Sequence, residues 1–135
     1  MLPKELAWPI GLPASAELNP LQKEAIHYIE EDCNLIISAP TGSGKTSVAE
    51  MVISHTIMRG DRAIYVAPMK ALVEERAREW EEPSHPYSSL STCILTGDYE
   101  ISDKKLEELR LSHLVITTPE MLSSNLRRLS EKTAP

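Results

Sequence analysis

The sequence predicts an α/β domain whose parallel sheet is covered by helices on both faces. Short apolar runs alternate along the chain with segments whose apolar residues recur at helical spacing. The runs are almost wholly apolar, as in strands buried on both faces, and strand–helix alternation brings such strands into one parallel sheet. With 135 residues, the chain is long enough for one domain with its own core.

The chain opens with an irregular leader, followed by a helix. Residues 1–20 contain four prolines, which fix φ and remove backbone donors, so we expect an extended segment there. From Leu21 to about Glu31 the apolar residues recur at helical spacing and predict a helix. Leu35–Ile37 is expected to be the first short strand, and the domain is expected to occupy residues 21–135.

Three more strands and four more helices are expected. The strands are the apolar runs Ala63–Ala67, Thr92–Leu95 and Leu114–Thr117. The helices are expected over residues 45–58, at Leu72–Trp80, at Leu106–Leu109 and at Leu122–Leu129. Val48, Val52 and Ile53 should share the buried face of the first of these helices, and Gly60 should end it. Thr118 should cap the last helix, with Pro119 at its first position.

Composition and charge exclude several classes of protein. Hydrophobic residues make up 41% and charged residues 25%, as in soluble globular proteins. No apolar run approaches the ~18 residues of a membrane span, and no secretory signal is visible. The expected location is therefore the cytoplasm, or the nucleus in a eukaryote. The net charge of −6 is opposite to that of a bulk electrostatic nucleic-acid binder, so any such contact must be local.

The cysteines and histidines carry no metal-binding pattern. Cys33 and Cys93 are far apart and are expected to be reduced core residues. The four histidines are scattered, so a resident metal site built from them is not expected.

A phosphate-binding loop follows the first expected strand and precedes a helix. It consists of Ala39, Pro40, Thr41, Gly42, Ser43, Gly44, Lys45 and Thr46. Gly42 and Gly44 let the backbone curl so that successive N–H groups point at phosphate. Lys45 should reach the phosphates and Thr46 should ligate Mg²⁺, which makes these two the candidate catalytic residues. A chance glycine-rich turn is the alternative, and the strand–loop–helix context argues against it.

Gln22 is a candidate reader of adenine. Its amide offers both an acceptor and donors, as the edge of adenine requires. In isolation it would be an ordinary helical glutamine, but the phosphate-binding loop begins 17 residues downstream.

Five motifs in one order carry a family resemblance: LNPLQ, APTGSGKT, APMKALVEER, TGDYE and TTPE. Over residues 18–130 the chain resembles the first RecA-like domain of superfamily 2 helicases. It is most similar to the Ski-like branch, which includes archaeal repair helicases and RNA-processing and spliceosomal helicases. The resemblance implies a RecA-like P-loop NTPase fold, ATP and Mg²⁺ as cofactors, Gln22 on the adenine, and nucleic acid as partner.

The resemblance also implies a set of residues that contact a nucleic-acid strand. They are Pro68, Lys70, Arg76, Thr96, Gly97, Asp98, Thr118, Pro119 and Glu120. A hydroxyl and a helix N-terminus at Thr118 suit a phosphate, and Gly97 permits close backbone approach. For Lys70 and Arg76, a solvated helix face is the alternative.

Two departures from the family pattern bear on the expected activity. Members next show an Asp-Glu-x-His segment, whose carboxylates hold Mg²⁺ and position water, and then a second RecA-like domain with arginine fingers. Neither occurs here, so the resemblance implies a domain truncated before that segment, with the remainder of the helicase in cis or in trans. We expect the chain to bind nucleotide without turning it over.

The parent activity implied is ATP-driven translocation and unwinding, with single-stranded or forked DNA favoured and RNA as the alternative partner; no membrane is implied. A non-hydrolysing nucleotide-binding or regulatory fragment, or one part of a split helicase, is the alternative function. A small P-loop kinase is disfavoured because it gives no reason for TGD and TTPE.

Overall fold

The computed structural model describes residues 18–31, 33–38, 40, 45–97 and 102–124. The chain divides into two compact units. The first comprises Met1–Asp61 with Ser84–Tyr87, and the second comprises Arg62–Pro83 with Ser88–Pro135. In the described part, no helix is both long and apolar enough to cross a membrane.

In its described residues, the first unit contains two helices, α1 (Pro20–Glu30) and α2 (Lys45–Met58). α1 begins one residue earlier than expected, because Asn19 caps it and Pro20, whose ring presets a helical φ, takes its first position. α2 has the expected bounds. It ends at Met58, and the predicted stop residue Gly60 follows it with a φ of 85°, in the left-handed region. The Asp61 N–H donates to the Thr56 carbonyl at 3.1 Å.

Among the residues that the structure describes, a small aliphatic cluster lies between the two helices of the first unit. Leu18, Ala25 and Ile29 pack there with Val48 and Met51 of α2. Each buried aliphatic side chain of this size contributes roughly 1.5–3 kcal/mol relative to its exposed state. The contact therefore sets how α1 and α2 pack together.

The strand expected at Leu35–Ile37 is not found, and that prediction is wrong. These residues carry no regular secondary structure, and none of the described strands pairs with them. Leu35 and Ile37 pack against the aliphatic cluster, whereas Ile36 is 96% exposed. An apolar run becomes a strand only when a neighbouring strand completes its hydrogen bonds. Here the run contributes to the core without one.

The second unit alternates strands and helices as predicted. Its elements are β1 (Ala63–Val66), α3 (Lys70–Glu81), a 3-10 turn (Pro86–Ser89) partly within the first unit, β2 (Thr92–Leu95), α4 (Asp103–Leu111), β3 (Leu114–Thr117) and a helix α5 that is described over 119–124. β1 is one residue shorter than expected. The remainder of the helix expected to reach Leu129 lies outside the described residues.

The three described strands form a parallel sheet in the order β1-β3-β2. All four residues of β3 are buried, as expected for a central strand covered on both faces. β1 lies at one edge of this sheet, where Ile64 is 50% exposed. The predicted α/β class with a parallel sheet is thus confirmed, with helix cover most complete at β3.

Arg62 fastens the start of β1 to the end of α4. Its Nε donates to the Ser112 carbonyl at 2.9 Å, and its Nη2 donates to the Leu109 carbonyl. A cation at a helix C-terminus satisfies unpaired carbonyls and opposes the negative end of the helix dipole.

The two cysteines differ in burial. Cys93 is fully buried in an apolar cluster, as expected. Cys33 is exposed, so the prediction that it is a core residue is wrong.

Candidate nucleotide and nucleic-acid sites

The first unit places the predicted phosphate-binding lysine at the start of a helix. Lys45 and Thr46 are the first two residues of α2, and both are exposed. A first helical turn presents N–H groups without intrahelical partners and a partial positive charge, which favour phosphate. Pro40 is exposed, whereas Ala39 and residues 41–44 lie outside the described residues. The described part fits a nucleotide phosphate, with the Thr46 hydroxyl suited to Mg²⁺.

Gln22 lies in the first turn of α1, where Asn19 holds its amide. The Asn19 N–H donates to Gln22 Oε1 at 3.1 Å, and the Gln22 N–H donates to Asn19 Oδ1 at 2.9 Å. This reciprocal pair is a capping box. Because Oε1 is the atom that accepts from Asn19, the bond also sets which way the amide is turned. An amide held in this way can offer its Nε2 donors to the edge of adenine.

A cavity of about 190 Å³ lies between α1 and residues 35–38. Its walls include Leu21 and Tyr28 from the helix and the exposed Ile36. Gln22 and Lys45 are not among the residues that line it. We therefore do not assign this cavity to the nucleotide.

The second unit brings three of the predicted strand-contacting loops to one edge of its sheet. Val66 and Leu95 are both in register with Thr117, so β1, β2 and β3 end side by side. The Ala67 N–H donates to the Thr117 carbonyl at 3.0 Å, and the Thr117 hydroxyl donates to the Leu95 carbonyl at 3.2 Å. Since neighbouring strands lie ~4.8 Å apart, the loops that leave them start within ~10 Å of one another. Ligands of parallel sheets bind at this carboxyl edge.

The first of these loops runs into α3 and leaves the start of that helix without a side-chain cap. Pro68 and Met69 follow β1, Met69 is the N-cap residue, and it makes no capping bond with its side chain. Lys70 is the first helical residue and its side chain is 65% exposed, with Glu74 Oε1 4.0 Å away. Uncapped N–H groups beside an exposed lysine suit a backbone phosphate.

Arg76 is placed differently from Lys70. Its side chain is only 15% exposed, and its Nη2 lies 2.8 Å from Glu79 Oε2 and 3.5 Å from Glu75 Oε1. Two carboxylates therefore already neutralise this guanidinium. A nucleic-acid phosphate would have to displace at least one of them.

The other two loops contribute Thr118 and Gly97. The Thr118 hydroxyl accepts from the Met121 N–H at 3.4 Å and caps α5, as predicted, with Pro119 and Glu120 exposed in the first turn. A capping hydroxyl still has its own proton to donate, which a phosphate oxygen can accept. Gly97 has φ of 124°, which an L side chain rarely adopts, and Thr96 beside it is half-buried. Asp98 lies outside the described residues.

One polar cluster was not predicted from the sequence. Glu50 and Ser54 of α2 are buried and hydrogen-bond to His85 and Tyr87. A glutamate inside an otherwise apolar helical stretch is the signal that could have indicated it. Among the described residues, no group of three or more His, Cys, Asp or Glu side chains is placed to hold a metal ion.

A helix that begins at the lysine of a phosphate-binding loop, and a parallel sheet whose strand ends gather polar loops, define a RecA-like P-loop fold. Comparison with known proteins identifies the family. Residues 19–134 match the DEAD/DEAH box helicase family, and the chain belongs to it.

The relatives agree with this assignment. The chain is 35% identical over 122 residues to the probable ATP-dependent DNA helicase HFM1 of Xenopus tropicalis, covering 85% of this chain and 9% of that protein. It is 39% identical over 113 residues to the ATP-dependent DNA helicase Hel308 of Pyrococcus abyssi, covering 82% of this chain and 15% of that protein. The predicted resemblance to the Ski-like helicases of superfamily 2 is confirmed.

A solved structure shows the same fold. The DUF1998 helicase MrfA, in a crystal structure bound to DNA and AMPPNP, superposes with a TM-score of 0.75 and 25% identity, over 96% of this chain and 19% of that one. The chain thus spans between 9% and 19% of the length of these three helicases.

Proposed function

We propose that this chain binds ATP with Mg²⁺ through the start of α2, and that it forms part of a helicase which moves along and unwinds DNA in preference to RNA. Membership of the helicase family supports ATP dependence. The DNA preference is supported by two relatives named as DNA helicases and by the MrfA structure, which holds DNA.

The observation that carries the proposal is the shared register of the three strand ends. It aligns the loops that begin at Ala67, Thr96 and Thr118 along one edge. That edge offers the exposed Lys70, the uncapped start of α3 and the Thr118 hydroxyl. Such a set can hold a strand by its phosphates despite the acidic net charge, because each contact is local.

Nucleotide binding is tested with a fluorescent ADP analogue and Mg²⁺. Lys45→Ala should abolish binding, because the side chain that meets the phosphates is lost. Lys70→Ala is the matched control, since Lys70 is likewise the exposed first residue of a helix but lies in the second unit. Undiminished binding by Lys45→Ala would place the nucleotide elsewhere.

Strand binding is tested with labelled single-stranded DNA and with RNA of the same sequence. Replacing Lys70, Arg76 and Thr118 together by alanine should weaken binding to a similar extent for every base sequence, because phosphate contacts carry no sequence information. The slope of the logarithm of the affinity against the logarithm of the salt concentration should also decrease in magnitude by about one for each phosphate that the variant no longer binds. Equal affinity of the triple variant and the unaltered protein would refute the strand site, and tighter binding of RNA would refute the DNA preference.

A further inference from the structure

The first unit holds a buried polar cluster, the Glu50 cluster, which consists of Glu50, Ser54, His85 and Tyr87. Glu50 and Ser54 lie one turn apart on α2, the helix that begins at Lys45. His85 and Tyr87 come from Ser84–Tyr87, a segment that belongs to the first unit although it follows α3 in the sequence. The side chains of Glu50 and His85 are only 10% and 14% exposed.

One tautomer of His85 satisfies both of its ring nitrogens. The Tyr87 N–H donates to His85 Nδ1 at 3.0 Å, so Nδ1 is an acceptor and the proton of the neutral ring is on Nε2. His85 Nε2 lies 3.0 Å from Glu50 Oε2 and donates to it. The imidazole therefore links the backbone of the segment to the carboxylate of the helix in a single defined orientation.

The remaining two members bind the backbone of the same residue. The Ser54 hydroxyl donates to the Glu50 carbonyl at 2.7 Å, the Tyr87 hydroxyl also reaches that carbonyl, and the two hydroxyls are 2.7 Å apart. Burial raises the pKa of the Tyr87 phenol well above its usual value, so it stays protonated and remains a donor. Glu50 is thus held at both its side chain and its carbonyl.

Stability alone is a poor explanation for this arrangement. Desolvating a carboxylate and an imidazole largely offsets the attraction between them, and apolar side chains of similar size would hold the segment as well. What a hydrogen-bonded pair adds is a fixed position and orientation of one element on another. The apolar cluster with α1 holds α2 through Val48 and Met51, and the Glu50 cluster provides a second, polar attachment.

We infer that Glu50 and His85 are positioning residues for the nucleotide, and that they hold α2 so that its first turn and Lys45 meet the phosphates. Glu50 is five residues beyond Lys45, roughly 7.5 Å along the helix axis, so a shift at Glu50 is carried rigidly to the binding turn. Neither side chain has to touch the ligand. The inference rests on the proposed nucleotide binding.

The test measures the affinity of the 135-residue chain for a fluorescent ADP analogue with Mg²⁺, together with its thermal melt. Glu50→Ala and His85→Ala should each weaken binding roughly two- to tenfold, the effect of one lost hydrogen bond. Glu50→Gln keeps an acceptor and His85→Gln keeps a donor, so both should bind like the unaltered chain. The double alanine variant should be no weaker than the weaker single variant, because the two residues act through one bond.

The exposed pair His27–Glu31 supplies the matched control. It joins the same two residue types in the same unit at 3.5 Å, but its side chains are 66% and 56% exposed. His27→Ala with Glu31→Ala should leave the affinity unchanged. If Glu50→Ala does not fold, the two His85 variants, at a position nearer the surface, decide the matter.

Three results would overturn the inference. They are unchanged affinity in both alanine variants, glutamine variants as weak as the alanine variants, and strictly additive effects in the double variant. The Lys45→Ala variant separates the proposed nucleotide binding from the positioning role of Glu50 and His85. If that change abolishes binding while the Glu50 and His85 variants bind normally, only this inference fails. If the unaltered chain does not bind nucleotide, the proposed function fails and the inference with it.

Discussion

The guanidinium of Arg76 lies 2.8 Å from the carboxylate of Glu79, one turn further along α3. Arg76 is one of the residues expected to contact a nucleic-acid strand, yet its side chain is 15% exposed and already paired. The carboxylate and a phosphate compete for the same planar donor group, which binds either of them well. Glu79 is therefore expected to oppose strand binding.

Replacing Glu79 by glutamine should strengthen the binding of single-stranded DNA. The change removes the competing charge while it keeps the size of the side chain. An ion pair between partly exposed side chains is worth only about 0.2–1 kcal/mol, so we expect an effect of roughly 1.4- to fivefold. Fluorescence anisotropy at low and moderate salt measures it. Glu107→Gln is the control for net charge, because Glu107 forms a similar pair with Arg110 at 2.7 Å on α4. Equal gains from both variants would mean that only the total charge matters.

Asn19→Ala should lower both stability and base selectivity. Loss of the cap costs about 1 kcal/mol of helix stability. The Gln22 amide also loses the hydrogen bond from the cap that fixes its orientation. A thermal melt measures the first effect, and competition of ATP against GTP for the fluorescent analogue measures the second. Gln22→Ala should reduce the selectivity further; a preference for ATP that survives both changes would show that Gln22 does not read the base.

Thiol reagents should modify Cys33 and leave Cys93 intact in the folded chain. Cys33 is exposed, whereas Cys93 is fully buried, and that burial raises the pKa of the Cys93 thiol. Since the thiolate is the reactive form, the raised pKa of Cys93 lowers its reactivity further, and Cys33 should therefore be the residue that is labelled. Mass spectrometry after timed alkylation gives the site and rate, and denaturant should make both cysteines react. Rapid labelling of Cys93 in a Cys33→Ser variant without denaturant would contradict the burial.

ATP hydrolysis by this chain alone should be close to background. No Asp-Glu-x-His segment occurs among its 135 residues. An arginine supplied by a second domain is worth roughly 10³–10⁵ in rate in related phosphoryl-transfer enzymes. A phosphate-release assay at saturating ATP decides the question. Multiple turnover that disappears in Lys45→Ala would mean that the required groups are present in another form.

Local pattern predicted the regular elements well and long-range partners poorly. Thr92–Leu95 and Leu114–Thr117 have the bounds expected from their apolar runs. On α2, however, spacing placed Val52 inside, whereas Val52 is 42% exposed and Glu50 is buried. Glu50 is buried because His85, 35 residues later, supplies its hydrogen bond. No pattern within a helical turn can show such a partner.

The features of the candidate site also differ in whether local sequence or distant contacts determine them. The cap at Thr118 could be predicted because a helix cap depends on adjacent residues. Arg76 and Glu79 are three residues apart on a helix, a spacing at which opposite charges can pair. Whether that pair leaves Arg76 available to a phosphate depends on the burial of the guanidinium, which the sequence does not show. The expected strand at Leu35–Ile37 failed for the opposite reason, since a strand needs a neighbour that its own sequence does not contain.

The position of β3 has a consequence for the order in which the chain can fold. β3 is the last of the described strands along the chain, yet it lies between the other two, and Ala63 of β1 pairs with Leu114, 51 residues later. During synthesis at ~5–20 residues per second, β1 therefore leaves the ribosome roughly 3–10 s before its neighbour. In that interval β1 and β2 are nascent apolar segments with unsatisfied backbone groups, which other chains or a chaperone can bind.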